Sequence, residues 1–289
     1  MNDALHIGTC SWKYDSWQGL IYEPGDEDNY LRAYARHYGS VEIDQWFWSL
    51  FGEERVLMPK PEVIAEYAAA VPETFRFTIK APNSLTLTHY PRNNRNGTAQ
   101  PNPWFLSVEL YQRFLKSLTP LVSRIGAIML QFGYLNRQKM ASQQAFLHLL
   151  GRFLEAIPRD LNVCVETRNP NYLNRSHFDL LNEQCCGHVF SQGYYMPDIV
   201  DVYRKCHGQL QGTQVIRLLG PDREGIEKRT GKRWDRRAEP RDDELDVISK
   251  MVRHMVEDKG LDLYLNVNNH YEGSAPHTIH HLTELLEEA

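Results

Sequence analysis

The sequence lacks the features that mark a secreted, membrane-spanning or disulfide-stabilised protein. Its first residues, MNDALHIGTC, contain no basic segment followed by an apolar run, and no stretch approaches about 18 consecutive apolar residues. The five cysteines form no C-x-x-C pair, and an odd number without such spacing is typical of a reducing compartment. We therefore expect a cytoplasmic protein without a membrane segment.

An excess of positive charge is also missing. The formal net charge of -5 argues against a protein that coats nucleic acid by charge alone. No G-x-G-x-x-G follows the first apolar run, which disfavours a dinucleotide-binding fold. No linker rich in proline, glycine or serine divides the 289 residues, so we predict a single domain over residues 1–289.

A short apolar run followed by a longer segment recurs eight times along the chain. Amphipathic helices are predicted over residues 28–38, with Asp28 as N-cap, and over 104–123, 142–157 and 242–259. Parallel strands need helical crossovers, and eight such units fit closure into a (β/α)8, or TIM, barrel. The predicted strands are residues 5–10, 40–44, 75–80, 125–132, 161–167, 187–190, 213–219 and 261–267.

Two predicted connections are long for a compact fold. Residues 81–103 follow the third strand, and residues 220–241 follow the seventh. Both begin at the carboxyl end of a strand, the face where barrel enzymes hold their active sites, so both are candidate lids. The first contains Thr88, His89, Tyr90, Arg92 and Arg95, and the second contains Arg223, Arg229, Arg233, Arg236, Arg237 and Arg241.

Charged and amide side chains recur near the carboxyl ends of the predicted strands. Side chains alternate between the two faces of a strand, and the apolar set suits packing under helices. The polar set should then point into the barrel, where charge is costly unless it is paired. The residues expected at this level are Glu42, Asp44, Lys80, Gln131, Glu166, Arg217 and Asn268.

Two interpretations of these charges remain open. In the first, Glu42–Lys80 and Glu166–Arg217 are structural ion pairs that close the barrel mouth. In the second, they form a site in which two carboxylates transfer protons and the cations bind an anionic substrate.

Aromatic residues cluster after the first two predicted strands, on the same rim. They either stack against a sugar ring or a base, or seal the barrel top as part of the core. The cluster consists of Trp12, Tyr14, Trp17, Trp46, Phe47 and Trp48.

The histidines give little indication of a metal site. His277, His280 and His281 share a predicted outer helix and are expected at the surface. His89 and His270 lie near the carboxylates and allow a divalent metal, but no H-E-x-x-H spacing supports one. No cofactor is predicted.

Several segments, in order along almost the whole chain, resemble the YecE-like family (domain of unknown function 72). They are IGTCSWKYDSWQGLIY, YARHYGSVEIDQWFWSL, FRFTIKAP with Thr88-His89, IGAIMLQF, VETR, VIRLLG and NVNNHYEGSAP. The resemblance implies a TIM barrel and supplies no established activity. The residues that fit the family pattern are Glu42, Lys80, Glu166, Arg168, Arg217, Asn268 and Asn269.

The sequence departs from that pattern at a few positions. Asp44 stands where an asparagine is usual, and GYLN replaces a pair of prolines after Gln131. Asn169 and Leu219 stand where histidines are common, so no site role is expected for a histidine on the fifth or seventh strand.

The leading hypothesis is an enzyme, a hydrolase, lyase or isomerase, acting on a small phosphorylated or carboxylated, sugar-like substrate. Glu42, Lys80 and Glu166 are the predicted catalytic residues, the two carboxylates acting as acid and base. Lys80 joins Arg168 and Arg217 in binding the anion. The predicted substrate-binding residues are Trp12, Asp44, His89, Gln131, Arg168, Arg217, Asn268 and Asn269.

Two alternatives come from other functional classes. One is a nucleic-acid-processing or nucleic-acid-binding protein, analogous in fold to endonuclease IV barrels, whose arginine-rich loop holds phosphates. The other is a metabolite sensor that binds its ligand without turnover. Oligomeric state has no signal in the sequence.

Overall fold

Eight parallel strands close into a barrel in the computed structural model, which describes residues 2–50, 55–90 and 100–288. Each strand pairs with the next in chain order, and the last pairs with the first, so the predicted TIM barrel is confirmed. The strands are β1 Leu5–Thr9, β2 Ser40–Ile43, β3 Arg76–Lys80, β4 Ile125–Phe132, β5 Val163–Thr167, β6 Gly187–Gly193, β7 Thr213–Gly220 and β8 Asp262–Val267.

Helices follow the strands and cover the outside of the barrel. None of those in the described part of the chain is both long and apolar enough to cross a membrane. All five cysteines are free thiols. The α-helices are α1 Tyr30–Tyr34, α2 Pro61–Ala70, α3 Val108–Ser117, α4 Gln143–Ala156, α5 Arg175–Glu183, α6 Ile199–Cys206, α7 Arg223–Thr230, α8 Asp242–Arg253 and α9 Ala275–Glu287.

Several predicted helix boundaries were wrong. The predicted helix 28–38 is a 3-10 turn followed by the short α1, and Asn29 rather than Asp28 accepts the capping hydrogen bond from the Arg32 amide. Residues 104–123 contain α3 and then a 3-10 helix, Thr119–Arg124, because Pro120 cannot donate the amide hydrogen bond that would continue the α-helix. The prediction for 142–157 agrees with α4 to within one residue at each end.

The long connection predicted over residues 220–241 is partly helical. This segment contains α7, whose first turn is capped by the Asp222 carboxylate accepting from the Gly225 amide at 2.9 Å. Its low apolar content hid the helix from a search based on hydrophobic periodicity.

The strands separate an outer core from an inner one. Alternate residues such as Phe77 and Val165 pack under the helices in the large outer core. The side chains between them fill the barrel interior, where the apolar layer consists of Ala127, Met129, Cys164, Val189, Val215 and Tyr264. The alternation predicted from sequence is therefore confirmed for these strands.

The amino-terminal end of the barrel is closed by aromatic packing. The Tyr264 ring fits against Gly126, where an added Cβ would lie 2.3 Å from the ring. His6 stacks on Tyr264 with ring centroids 4.5 Å apart. Because this end is plugged, the polar layer above the apolar one opens only toward the carboxyl ends of the strands.

Candidate active site

Arg217, on β7, lies at the centre of this polar layer, where two carboxylates hold its guanidinium. Its Nε and Nη2 donate to the two carboxylate oxygens of Glu42, both at 2.7 Å. Its Nη1 donates to Glu166 Oε2 at 3.0 Å and to Gln131 Oε1 at 3.3 Å. Arg217 is only 4% exposed, so β2, β4, β5 and β7 together surround one buried cation.

Glu166 accepts hydrogen bonds on both oxygens. Besides Arg217, its Oε1 accepts from Ser191 Oγ at 2.9 Å and forms an ion pair with Arg168 Nη2 at 2.5 Å. Burial by itself raises the pKa of this carboxyl, but Arg168, Arg217 and Lys80 outweigh burial and lower the pKa to about 2. Glu166 is therefore ionised at neutral pH.

Glu42 is fully buried, and its oxygens are taken by Arg217. Burial raises the pKa of the Glu42 carboxyl above its usual value, and the Arg217 charge opposes that shift. Asn266 Nδ2 approaches Glu42 Oε2 at 3.4 Å and donates to Thr78 Oγ1 at 2.9 Å. These contacts fix the orientation of Glu42 from the β8 side.

Lys80 ends β3 at the edge of this network and is only 8% exposed. Its Nζ lies 4.1 Å from the centre of the Phe47 ring and forms no ion pair or hydrogen bond with any described residue. Burial, followed by the Arg217 charge, lowers the pKa of Lys80, although Glu42 and Glu166 oppose the shift. Lys80 is thus a largely desolvated cation without a carboxylate partner.

One of the two predicted ion pairs is present. Glu166 pairs with Arg217 as predicted. The Glu42–Lys80 pair was wrong, because the guanidinium of Arg217 occupies both oxygens of Glu42. Three cations, with Arg168 the third, therefore face two buried carboxylates at the barrel mouth.

A cleft of about 500 Å³ opens beside this network at the carboxyl ends of β4, β5 and β6. Gln131 and Arg168 belong to both the network and the cleft. The Arg168 guanidinium carbon lies 5.3 Å from the centre of the Tyr194 ring. The cleft is lined by Gln131, Tyr134, Arg168, Pro170, Tyr194 and Tyr195.

Two of the predicted substrate-binding residues on the early strands lie outside the network. Asp44 is exposed at the rim after β2. The Trp12 side chain is buried edge-on against Tyr67, with ring centroids 5.2 Å apart.

The remaining predicted substrate-binding residues support local structure. His89 contacts its neighbour Thr88 through Nδ1 at 2.9 Å. Asn268 Oδ1 accepts from the His270 amide at 2.9 Å, which stabilises the turn after β8. Asn269 Oδ1 accepts from the Ala275 amide at 2.8 Å at the start of α9.

The arginines of residues 220–241 are largely neutralised by nearby carboxylates. Four form ion pairs with carboxylates of the same segment and Arg237 pairs with Glu272 after β8, whereas the exposed Arg236 forms no ion pair with the described residues. The pairs are Arg223–Glu227, Arg229–Glu239, Arg233–Asp235, Arg237–Glu272 and Arg241–Glu239. Arg92 and Arg95 of the other candidate lid lie outside the described residues.

The rim aromatics divide between the two interpretations left open by the sequence. Trp12, Trp17 and Phe47 are buried and belong to the core, whereas Trp48 is exposed.

For metals, no group of three or more histidine, cysteine or acidic side chains converges among residues 2–50, 55–90 and 100–288. His270 turns toward α7, where its Nε2 lies 3.2 Å from Glu227 Oε1.

Sequence reasoning missed four residues of the site. Ser191 was missed because the sixth strand was predicted to end at residue 190, whereas β6 continues to Gly193. Asn266 shares the interior face of β8, but the prediction selected Asn268 one repeat further along. Tyr194 and Tyr195 follow directly as the pair in QGYYMP, a signal that was available but not used.

Comparisons with known proteins agree with this architecture. The family model "Protein of unknown function DUF72" matches residues 6–289. The UPF0759 protein YecE of Escherichia coli K12 is 27% identical over 168 residues, 58% of this chain and 50% of YecE. The matched region thus spans about half the length of that curated relative.

Solved structures show the same fold. A DUF72 family protein from Thermotoga maritima MSB8 has a TM-score of 0.66 at 17% identity, covering 98% of this chain and 99% of that one. A psychrophilic glycoside hydrolase family 10 endo-β-1,4-xylanase has a TM-score of 0.50 at 12% identity, covering 92% and 87%. At such low identity the likeness shows a shared TIM-barrel fold.

Proposed function

We propose that this chain, which belongs to the DUF72 family of proteins of unknown function, has an enzymatic role at the carboxyl end of its barrel. The proposed substrate is small, anionic and sugar-like, carrying a phosphate or a carboxylate group. The proposal concerns the cleft and the charged network beneath it.

The unbalanced charge of the network is the observation that carries the proposal. Glu42 and Glu166 neutralise Arg217 and part of the charge of Arg168, which leaves Lys80 without a carboxylate partner in the described part of the chain. A buried cation without a partner is costly, and an anionic ligand would remove that cost. The carboxyl ends of barrel strands are also where TIM-barrel enzymes carry out their chemistry.

We assign anion binding to Arg168 and Lys80, because Arg217 is held by two carboxylates. Arg168 lines the cleft and pairs with Glu166, so a ligand anion that attracts its guanidinium would also release Glu166 Oε1 from that ion pair and leave it with the Ser191 hydrogen bond. Glu166 would then accept a proton, and Lys80, whose pKa is lowered, would donate one. Both oxygens of Glu42 are held by Arg217, which does not line the cleft, so we assign Glu42 the role of positioning Arg217.

The two alternative functions, a nucleic-acid partner and a metabolite sensor, are distinguished from the enzyme by charge and by turnover. A nucleic-acid partner draws no support from residues 220–241, because most of the arginines there form ion pairs with nearby carboxylates. A sensor would bind the same ligand at the same residues without changing it. Turnover of the bound ligand therefore separates an enzyme from a sensor.

The first test compares Lys80→Met with wild type and with Lys13→Met, an exposed lysine on the same rim. We expect Lys80→Met to weaken binding of inorganic phosphate and glucose 6-phosphate by roughly 10- to 100-fold, the effect of losing a charge-assisted contact worth about 1.5–3 kcal/mol. Isothermal titration calorimetry measures both affinities. Lys13→Met should bind like wild type.

The fold should survive this substitution, since methionine removes a buried, unpaired charge. We expect the thermal midpoint of Lys80→Met to equal or exceed that of wild type. Equal phosphate affinity in wild type and Lys80→Met would remove the proposed anion site. If a turned-over ligand is identified, Glu166→Gln should reduce its turnover by about 100-fold or more.

A further inference from the structure

The turn after β6 holds two consecutive tyrosines in the left-handed region of backbone space. Tyr194 has φ 51° and Tyr195 has φ 65°, directly after Gly193 at φ 123°. A side chain with a Cβ is sterically disfavoured at each such position. Strain at two adjacent residues requires a rigid surrounding that holds the turn in place.

Closely packed backbone beneath the turn provides that rigidity. A Cβ added to Gly193 would lie 2.1 Å from the carbonyl oxygen of Gly220, at the end of β7. A Cβ added to Gly220 would in turn lie 2.2 Å from the carbonyl oxygen of His270, after β8. The ends of three strands therefore meet without intervening side chains and leave the turn little freedom to relax.

The strain at Tyr195 is not offset by burial of its side chain. Tyr195 is 98% exposed, more than any other large apolar residue of the described chain. Tyr134, which lines the same cleft, is 58% exposed. A tyrosine that is both strained and solvated contributes little to folding. Such outliers concentrate at ligand sites, where the strain keeps a group in its binding position.

The lining of the cleft contains both apolar and polar groups. Tyr134, Pro170 and Tyr195 supply apolar surface, while Gln131 and Arg168 supply an amide and a guanidinium. A sugar ring needs both, because its C–H face packs on an aromatic ring and its hydroxyls need hydrogen-bonding groups at the edge. A nucleobase also carries hydrogen-bonding atoms at its edge, so adenosine monophosphate is included in the test as the competing ligand.

We propose that Tyr195 is a stacking platform for the ring of a monosaccharide whose anionic group binds at Arg168. This inference rests on the proposed function and adds to it the ring class of the substrate and the residue that selects it. Tyr195 acts here as a specificity residue, without a part in proton transfer.

The test measures affinities for inorganic phosphate, glucose 6-phosphate, ribose 5-phosphate and adenosine monophosphate by calorimetry, in wild type, Tyr195→Ala and Tyr195→Phe. Wild type should bind at least one sugar phosphate about 10-fold or more tightly than phosphate, because the sugar ring packs on Tyr195; this preference corresponds to about 1.4 kcal/mol or more. Tyr195→Ala should lose most of that preference and keep its phosphate affinity. Tyr195→Phe should keep both.

Different binding results would contradict the anion site and the Tyr195 stacking platform. Phosphate binding that depends on Lys80 without any preference for a sugar phosphate would overturn the stacking platform and leave the anion site intact. A preference that survives in Tyr195→Ala would do the same. Tighter Tyr195-dependent binding of adenosine monophosphate than of both sugar phosphates would replace the sugar with a base. No binding of phosphate or of either sugar phosphate would defeat both proposals.

Tyr195→Gly gives a readout that a structural role would not produce. Glycine adopts the left-handed conformation without steric cost, so the thermal midpoint should stay the same or rise by a few degrees. Binding of the preferred sugar phosphate should nevertheless fall as it does in Tyr195→Ala. A lower midpoint in Tyr195→Gly would instead assign the tyrosine to the fold.

Discussion

Arg217→Met is expected to lower the free energy of unfolding by about 3–5 kcal/mol, the usual cost of breaking a buried ion pair by removing one partner. The substitution leaves Glu42 fully buried with neither of its Arg217 hydrogen bonds, and it removes one of the two arginines at Glu166. Urea unfolding at neutral pH measures the loss.

A neutral network provides the matched control for this prediction. Glu42→Gln and Glu166→Gln combined with Arg217→Met remove both buried carboxylates together with their cation, and should recover most of the lost stability. Acid should also help the single variant, because unpaired buried carboxyls have raised pKa values and protonate more readily in the folded state. The Arg217→Met deficit should therefore be smaller at about pH 5 than at about pH 8. A deficit under about 1 kcal/mol at both would show that Arg217 is not the counter-ion of this layer.

Acidification from about pH 7.5 to about pH 5 is expected to cost about 2 kcal/mol for each histidine of a buried pair. His177 Nε2 on α5 lies 3.3 Å from His188 Nδ1 on β6, and both rings are buried. Burial lowers the pKa of His177 to about 4 and holds that of His188 well below its usual range. The second imidazole adds to the shift at His188.

Acid lowers the stability of the fold because an imidazole in the unfolded chain titrates near its ordinary pKa of 6.5. Below that pH the unfolded state binds protons that the folded state excludes, so stability falls by about 1.4 kcal/mol per pH unit and histidine until the folded pKa is reached. Glu166, with a pKa of about 2, is affected only at pH values below this window. Glu42, whose pKa is raised, changes stability in the opposite direction and remains present in every variant compared.

The histidine pair is tested by the pH dependence of urea unfolding in His177→Leu/His188→Leu. Between about pH 7.5 and about pH 5 the double variant should lose about 4 kcal/mol less than wild type. His280→Gln, which changes a largely exposed side chain on α9, should follow the wild-type curve. Parallel curves for wild type and the double variant would show that these two imidazoles do not set the acid sensitivity.

Local patterns were enough to predict which side chains face the barrel interior. The alternation in SVEID and FRFTIK assigns Glu42 and Lys80 to the inner face, and the structure agrees. The same rule failed at the ends of strands, where the alternation stops. Asn268 was predicted to face the interior with Asn266, but it lies after β8 and bonds its own turn.

The conformation of the turn after β6 was also not predictable from the sequence. The exposure of Tyr195 and the left-handed backbone of the turn depend on backbone contacts among Gly193, Gly220 and His270, which are remote in sequence. Tyrosine occurs both buried and exposed, so the pair in QGYYMP could draw attention to the turn but could not show that Tyr195 is solvated.

By itself, the order of apolar runs and amphipathic segments determined that the chain forms a TIM barrel and which strands carry charge at one end, because both depend on local periodicity and on the right-handed crossover of parallel strands. Only the tertiary structure decided that Glu42 pairs with Arg217, 175 residues away, and that Lys80 contacts the Phe47 ring and pairs with no carboxylate of the described residues. The stagger of the strands in a closed barrel sets the position of each strand end along the barrel axis. Which side chains meet across the barrel is therefore determined by the assembled barrel.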